Sequence, residues 1–351
     1  MRGRQQTNPE GVMEPGGGYL AARKSAAVFD RSDRGKIALA GGDRRAYLHA
    51  MLTNDITSLQ AGGGCYAAYL TPQGRMIADM VVLELGDLLL VDLDRSVTAG
   101  VLAKLDQFVL NEDVKLGDLS DAFSKLVVVG PRAASVVAGV TDPAADAAGR
   151  AAELAGWPPF HNVRASFHGQ MLLVAASDDA GVAAFDLYIE RPYLDELASA
   201  LVASGATPAD ASDWETLRVE EGRPAFGVDM DGETIPLEAG IEPRAISFTK
   251  GCYPGQEVVI RVLHRGYGRI TRKIMGLVLG GGEVPGAGDA LRAGDREAGR
   301  VTSAVWSPRL GAPIALAMIQ RDFFTPGTEL AILHGDQPLT ARVVELPFAS
   351  A

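Results

Sequence analysis

CYAAYLTPQGRMIADMVVLELGDLLLVDL, residues Cys65 to Leu93, holds the strand-like runs Cys65 to Leu70, Arg75 to Leu85 and Leu88 to Leu93 with only short connections between them. Strands that follow one another so closely pair antiparallel, so this part of the chain predicts an antiparallel sheet. Helical periodicity flanks it. Val97, Val101, Leu105 and Phe108 recur at helical spacing over Ser96 to Leu110, while Leu20 to Phe29 and Asp43 to Leu52 read as helices around a strand at Lys36 to Ala40. The run Gly62 to Gly64 suits a hairpin connection; without a following helix and lysine it is no phosphate loop.

Further along, Lys125 to Val129 and His161 to Ala176 add strands, and Arg132 to Val140 and Tyr193 to Ala203 read as helices. The low-complexity connection Thr141 to Gly156 is the expected lobe boundary. Ser212 and Glu215 form a capping-box pattern for a helix running through Glu221, stopped by Gly222 and Pro224. Beyond Gly276 the pattern changes to short β-runs at Leu277 to Leu279, Gly299 to Trp306, Ile314 to Ile319, Glu329 to Leu333 and Leu339 to Val344, which suit a small barrel. The fold class is α+β, with mixed or antiparallel sheets and a C-terminal β-barrel.

A chain of 351 residues, 47% hydrophobic, buries two or three cores without disulfide support. Cys65 and Cys252 stand far apart, give no metal-ligand spacing and suit a reducing, cytoplasmic compartment. No apolar stretch approaches the roughly 18 uninterrupted residues of a membrane span. The net charge of -11 argues against a broad nucleic-acid-binding face. Residues 1–18 lack the apolar centre of a signal peptide and read as a disordered tail.

The densest chemistry lies in KGCYPGQE, Lys250 to Glu257. Its cysteine sits between a lysine, an aromatic ring and glycine-flanked turns. Arg261, His264, Arg265, Arg269, Arg272 and Lys273 follow, and Glu257 is the only acid from Lys250 to Lys273. Nearby positive charge raises the thiolate fraction of a cysteine, so Cys252 is placed to react or bind; a small apolar residue packed in a loop is the competing reading. Cys65, in an alternating run, reads as packing.

KGCYPGQE resembles the signature of the YgfZ-type folate-binding proteins, relatives of the glycine-cleavage T-protein (aminomethyltransferase) that assist iron–sulfur proteins. The likeness extends through Ala21 to Ile56, Tyr69 to Val82, LRVEEGRPAFGVDM (Leu217 to Met230) and Gly299 to Ile319, in T-protein order. It implies a three-lobed ring around a central folate cavity, with a two-lobed aminomethyltransferase-like region over residues 19–275 and a barrel domain over 276–351. Tetrahydrofolate or a one-carbon derivative is the implied ligand.

A pterin edge donates two parallel hydrogen bonds, which a held carboxylate accepts as a pair. The resemblance puts that carboxylate at Glu220, on a helix whose Trp214 and Leu217 turn inward; a solvated helix face is the plainer reading. Asp79 interrupts the apolar run Met76 to Leu83 and matches the T-protein's catalytic aspartate, although an alternating strand could simply point it outward. Arg244, Lys250 and Arg261 are candidates for the folate tail or an acidic partner, since guanidinium forks suit carboxylates. Three functions follow: a tetrahydrofolate-binding accessory of iron–sulfur assembly using Cys252, with iron–sulfur proteins as partners; a folate-dependent aminomethyltransferase or demethylase using Asp79 and Glu220; or a non-catalytic folate-binding scaffold.

Overall fold

The computed structural model describes residues 15–141, 147–265, 270–335 and 337–348. Two open sheets face each other, and a closed barrel packs beside them. The first sheet has the order β3-β4-β5-β2-β6, formed by Gly64–Leu70, Met76–Glu84, Leu88–Asp94, Arg34–Ala40 and Lys115–Asp118. All its pairings are antiparallel, including β3 with β4 and β4 with β5, as the close spacing of these runs predicts. Helices α2 (Arg44–Met51) and α3 (Arg95–Gln107) cover one face, burying Ile37, Leu39, Met80, Val82, Val91 and Val101 together. Full burial of such side chains is worth roughly 1.5–3 kcal/mol each.

The second sheet, β11-β1-β7-β10-β9-β8, is mixed. Its strands are Thr207–Ala209, Ala27–Asp30, Phe123–Val129, Ala184–Glu190, Gln170–Ser177 and Asn162–Phe167, with β1 and β11 parallel. The expected helix Leu20 to Phe29 therefore divides. Gly17–Lys24 is helix α1, whereas Ala27–Asp30 is strand, with Val28 opposite Val128 on one side and Pro208 on the other. The outer face is covered by α4 (Ala133–Val140), α5 (Ala147–Ala155) and α6 (Leu194–Ala203). The connection expected over Thr141 to Gly156 thus contains a helix; residues 142–146 lie outside the described residues. Likewise 1–14 of the expected tail lie outside them, and Gly17 and Gly18 belong to α1.

Helix α7, Ala211–Glu220, closes the space between the sheets. Its cap is Asp210, two residues before the expected Ser212: Asp210 accepts from the backbone N–H groups of Ser212 and Asp213. Short helices α8 (Pro236–Ala239), α9 (Glu242–Ala245) and α10 (Gln256–Ile260) lead to the barrel. The barrel runs β12-β15-β14-β13-β16-β17, from strands Arg272–Leu279, Ala290–Ala293, Arg296–Ser307, Ala312–Gln320, Glu329–His334 and Gln337–Val344 in chain order. Its first strand begins at Arg272, ahead of the expected boundary at 276.

Strand alternation decides what faces the inter-sheet space. Where Ala78, Met80 and Val82 turn to the helices, Asp79, Val81 and Leu83 turn to the other sheet; Leu90 and Asp92 of β5 do the same. At one end this space is an apolar seam of Leu83, Leu90, Leu173, Ala175 and Tyr188. At the other end charged side chains replace the apolar ones and a cavity opens.

Candidate functional site

The cavity, of about 280 Å³, is walled by both sheets, α7 and the segment after it. Asp79 lies on it, pointing inward. Its Oδ2 accepts a hydrogen bond from the Tyr66 hydroxyl at 2.7 Å, while Oδ1 is buried and has no hydrogen-bond partner. Burial pushes the Asp79 carboxyl up from its ordinary range, against the opposing influence of Arg34 and of the Tyr66 hydrogen bond. An unpaired buried carboxylate oxygen costs free energy that a well-packed strand would not leave unspent.

The cavity floor is a network of charges. Arg34 of β2 donates through Nε to Asp92 at 2.7 Å; Lys125 of β7 reaches Asp92 at 2.8 Å and Asp186 of β10 at 2.7 Å; the Tyr188 hydroxyl donates to Asp92 at 2.7 Å. Against its burial, Lys125 and Arg34 hold the Asp92 carboxyl well below the usual carboxylate range. Burial wins at Asp186, whose carboxyl is pushed up although Lys125 touches it. Lys125 itself stays charged, because its two acids outweigh burial.

Helix α7 supplies Trp214, Glu215 and Arg218 to the lining. The Arg218 guanidinium is bound on every side: Nε donates to Glu215 at 2.9 Å, Nη1 to Asp229 at 2.6 Å and Nη2 to Ser303 of the barrel at 2.7 Å. It joins helix, loop and barrel. Arg31 lies over the Trp214 ring at 4.6 Å, and Phe226 and Val228 add apolar surface. Arg244 also lines the cavity; its guanidinium lies 4.8 Å from the Tyr66 ring centre and donates to Asp178 at 2.5 Å.

Glu220, expected to meet a pterin edge, is not on this lining. It is fully buried between α1, α7 and the barrel, and its oxygens accept from Tyr19 at 2.9 and 3.0 Å, Arg23 at 2.6 Å and Ser307 at 2.5 Å. The Arg309 backbone N–H adds a contact at 3.3 Å. The carboxylate is saturated by its own chain. Burial and Glu220 together push the Tyr19 hydroxyl up to about 12.

Lys250 and Arg261 do not reach the cavity either. The Lys250 ammonium donates to the carbonyls of His49, Leu52 and Asn54, closing the C-terminal end of α2, and burial lowers it to about 8. Arg261 pairs with Glu257 at 2.9 Å in an exposed i,i+4 pair, and Arg272 pairs with Glu238 at 3.2 Å. The Arg269 position and the side chains of His264 and Arg265 lie outside the described residues. Of the remaining motif, Tyr253 is buried and Gly255, at φ +82°, faces Gly74, at φ +76°, in the β3–β4 turn. A Cβ on Gly255 would come within 2.6 Å of the Thr71 carbonyl, so only glycine fits. Cys252 is exposed and free; Cys65 is buried, and burial pushes its thiol up to about 12.

Sequence reasoning missed Arg34, Asp92, Lys125 and Asp186. Asp92, Lys125 and Asp186 are each a charge within a run of buried residues, the same signal that singled out Asp79, whereas Arg34 opens β2 between Asp33 and Lys36 and carries no such signal. Among the described residues no group of three or more His, Cys, Asp or Glu side chains is placed to hold a metal ion, and no helix is long and apolar enough to cross a membrane.

Comparison with known proteins places this architecture. The GCVT N-terminal domain matches residues 17–250, and the glycine cleavage T-protein C-terminal barrel domain matches residues 272–349. An aminomethyltransferase of Rubrobacter xylanophilus is 29% identical over 332 residues, covering 94% of this chain and 85% of the relative. One from Streptomyces coelicolor is 30% identical over 339 residues, covering 94% and 88%. The crystal structure of glycine cleavage system aminomethyltransferase T from Bartonella henselae superposes with a TM-score of 0.83 over 98% of this chain and 91% of that one; at 20% identity the likeness is one of fold.

Proposed function

The chain belongs to the glycine-cleavage T-protein family, and on that premise we propose that it binds a reduced folate in the inter-sheet cavity and transfers a one-carbon unit, with Asp79 handling the proton. One observation carries the reading: Asp79, whose buried Oδ1 has no hydrogen-bond partner, lines a cavity that also offers Trp214 and Phe226 as ring surfaces. These residues suit a pterin, whose edge is rich in N–H donors and whose faces are apolar. The volume of about 280 Å³ lies near the lower end of small-molecule sites, roughly 300–1,000 Å³, so a bicyclic ring fits and the tail extends outward. Arg223 and Arg244 are lining cations for that acidic tail.

Tetrahydrofolate, when bound, supplies the nitrogens that carry the one-carbon unit. Asp79 supplies the acid–base group: its raised affinity for a proton brings it closer to working pH than an exposed aspartate. Tyr66 fixes the carboxyl through Oδ2, leaving Oδ1 without a partner of its own. Arg218 holds α7, and with it Trp214, against the barrel.

The test is calorimetric titration of the protein with tetrahydrofolate, followed by single-turnover transfer from an aminomethylated lipoyl carrier protein or a methylated amine. Binding by the wild type and a loss of about 10²-fold or more in transfer for Asp79→Asn, with folate still bound, is expected. No binding of tetrahydrofolate at millimolar concentration would overturn the reading.

A finer reading, a YgfZ-type accessory to iron–sulfur proteins, is favoured by a single feature, the exposed thiol of Cys252. It requires a partner's ligands, because a cluster ordinarily takes four thiolates. Lowered activity of iron–sulfur enzymes in cells carrying only Cys252→Ala would support it; unchanged activity would leave the transferase alone.

A further inference from the structure

Arg34 and Arg31, both on the cavity wall, are each held through Nε alone, but only Arg34 is anchored by a buried aspartate, Asp92, whereas the partner of Arg31 is the exposed Asp33. Asp92 is in turn gripped by Lys125 and Tyr188. Neither Nη1 nor Nη2 of Arg34 makes a hydrogen bond among the described residues, and the side chain, 23% exposed, lines the cavity. By contrast Arg218 is bound through all three nitrogens, and Arg244 is engaged by Asp178. The same cavity holds the complementary vacancy, the unpartnered Oδ1 of Asp79. Arg34 bonds Asp92 and Asp79 bonds Tyr66, and Arg34 and Asp79 form no ion pair with each other, yet each feels the other's charge.

From this pairing we propose that Arg34 is a substrate-binding residue, its two Nη groups forming a fork for the carboxylate of a small zwitterionic one-carbon donor whose cationic centre lies toward Asp79. The proposal deepens the transferase reading by naming the class of donor, and rests on that reading for the role of the donor. Two parallel N–H groups match the planar, two-oxygen edge of a carboxylate. A dianion such as phosphate is disfavoured, because Asp79, Asp92 and Asp186 share the lining. A zwitterion brings both signs at once. It gives the half-buried fork and the buried carboxylate a partner each while leaving the charge balance of the enclosed site unchanged, the condition under which burying charge is tolerable. N-methylated amino acids belong to this class; an aminomethyl group on a carrier lacks the carboxylate.

The experiment titrates the full-length protein with sarcosine, N,N-dimethylglycine and glycine betaine, and with N,N-dimethylethanolamine and acetate as probes carrying only one of the two charges. Saturable binding of at least one zwitterion, with the single-charge probes about tenfold weaker or more, is expected. Arg34→Met should lose that preference by about tenfold or more, and Arg34→Lys, which keeps the charge without the fork, should recover only part of it. Thermal melting of both variants separates loss of binding from loss of fold, since Arg34→Lys leaves Asp92 a cation. Tetrahydrofolate is titrated in parallel. If no zwitterion binds, or if Arg34→Lys binds zwitterions as well as wild type, the proposal fails. If Arg34→Met weakens tetrahydrofolate instead, the fork serves the folate and the donor assignment is overturned. Zwitterion binding that depends on Arg34 in a protein that does not bind tetrahydrofolate would sink the folate reading while leaving the fork in place.

Discussion

Replacing Glu220 by glutamine separates a residue that holds the protein together from one that holds a ligand. The carboxylate has no exposed surface, and the amide keeps its shape while removing its charge. Arg23 then loses its anion at 2.6 Å, and one of the donors Tyr19 or Arg23 faces an NH₂ group in place of an acceptor. Breaking a buried pair by removing one partner costs about 3–5 kcal/mol. The lower end applies here, because Glu221 remains 3.2 Å from Arg23 and 2.8 Å from Arg309, so neither guanidinium is stranded. A loss of about 3 kcal/mol is roughly two decades in the unfolding equilibrium. Urea unfolding followed by tryptophan fluorescence reads it through Trp214 on the same helix. Tetrahydrofolate affinity, measured well below the melting transition, should be within about twofold of wild type, as Glu220 is absent from the cavity wall. An unchanged unfolding midpoint with folate affinity down by about tenfold would refute this reasoning and return Glu220 to the ligand.

Asp79→Asn should behave in the opposite way, gaining stability where it loses catalysis. Burial raises the folded-state proton affinity of Asp79 above its unfolded value, so its contribution is fully present below the unfolded pKa of about 3.9 and is lost as pH rises through the folded pKa. The melting temperature of Asp79→Asn should therefore match wild type near pH 3.5 and exceed it at pH 7–8; a difference that does not grow with pH would count against a buried, ionised Asp79. For the two cysteines, alkylation by iodoacetamide at pH 7 should modify Cys252 and spare Cys65, whose thiol is buried and pushed up to about 12. Mass spectrometry finding Cys65 labelled in folded protein at a comparable rate would contradict that placement.

The sheets were legible because alternation and short spacing leave few arrangements: β3, β4 and β5 could pair only as neighbours, and each lies within a residue or so of its apolar run. Asp79 was legible for the same reason, as an acid out of pattern. What the pattern lacks is the identity of the opposing surface. Glu220 and Leu217 sit on one inward face of α7, and nothing local distinguishes an inward glutamate that meets a ligand from one that meets Arg23 and Arg309, which are 197 and 89 residues away. The same limit concealed the floor network, whose members come from β2, β5, β7 and β10 and become one object only when two sheets face each other. Phe29 failed differently: its run carries helical spacing, yet pairing with β7 and β11 satisfies its backbone in a way that a longer α1 would not.

The octapeptide KGCYPGQE stands out in the sequence, and within the fold most of its side chains are engaged by the chain itself. The Lys250 ammonium is directed to three backbone carbonyls of and beyond α2, and Arg261 and Arg272 are engaged by Glu257 and Glu238. The motif's tyrosine is core, and its second glycine lies against the β3–β4 turn where no side chain fits. These contacts bind the segment after α9 to both α2 and the hairpin that carries Tyr66 and Asp79. The segment thereby fixes the strand from which the unpartnered carboxylate projects. Most of the motif is accounted for by that positioning, and Cys252 is the part of it left facing solvent.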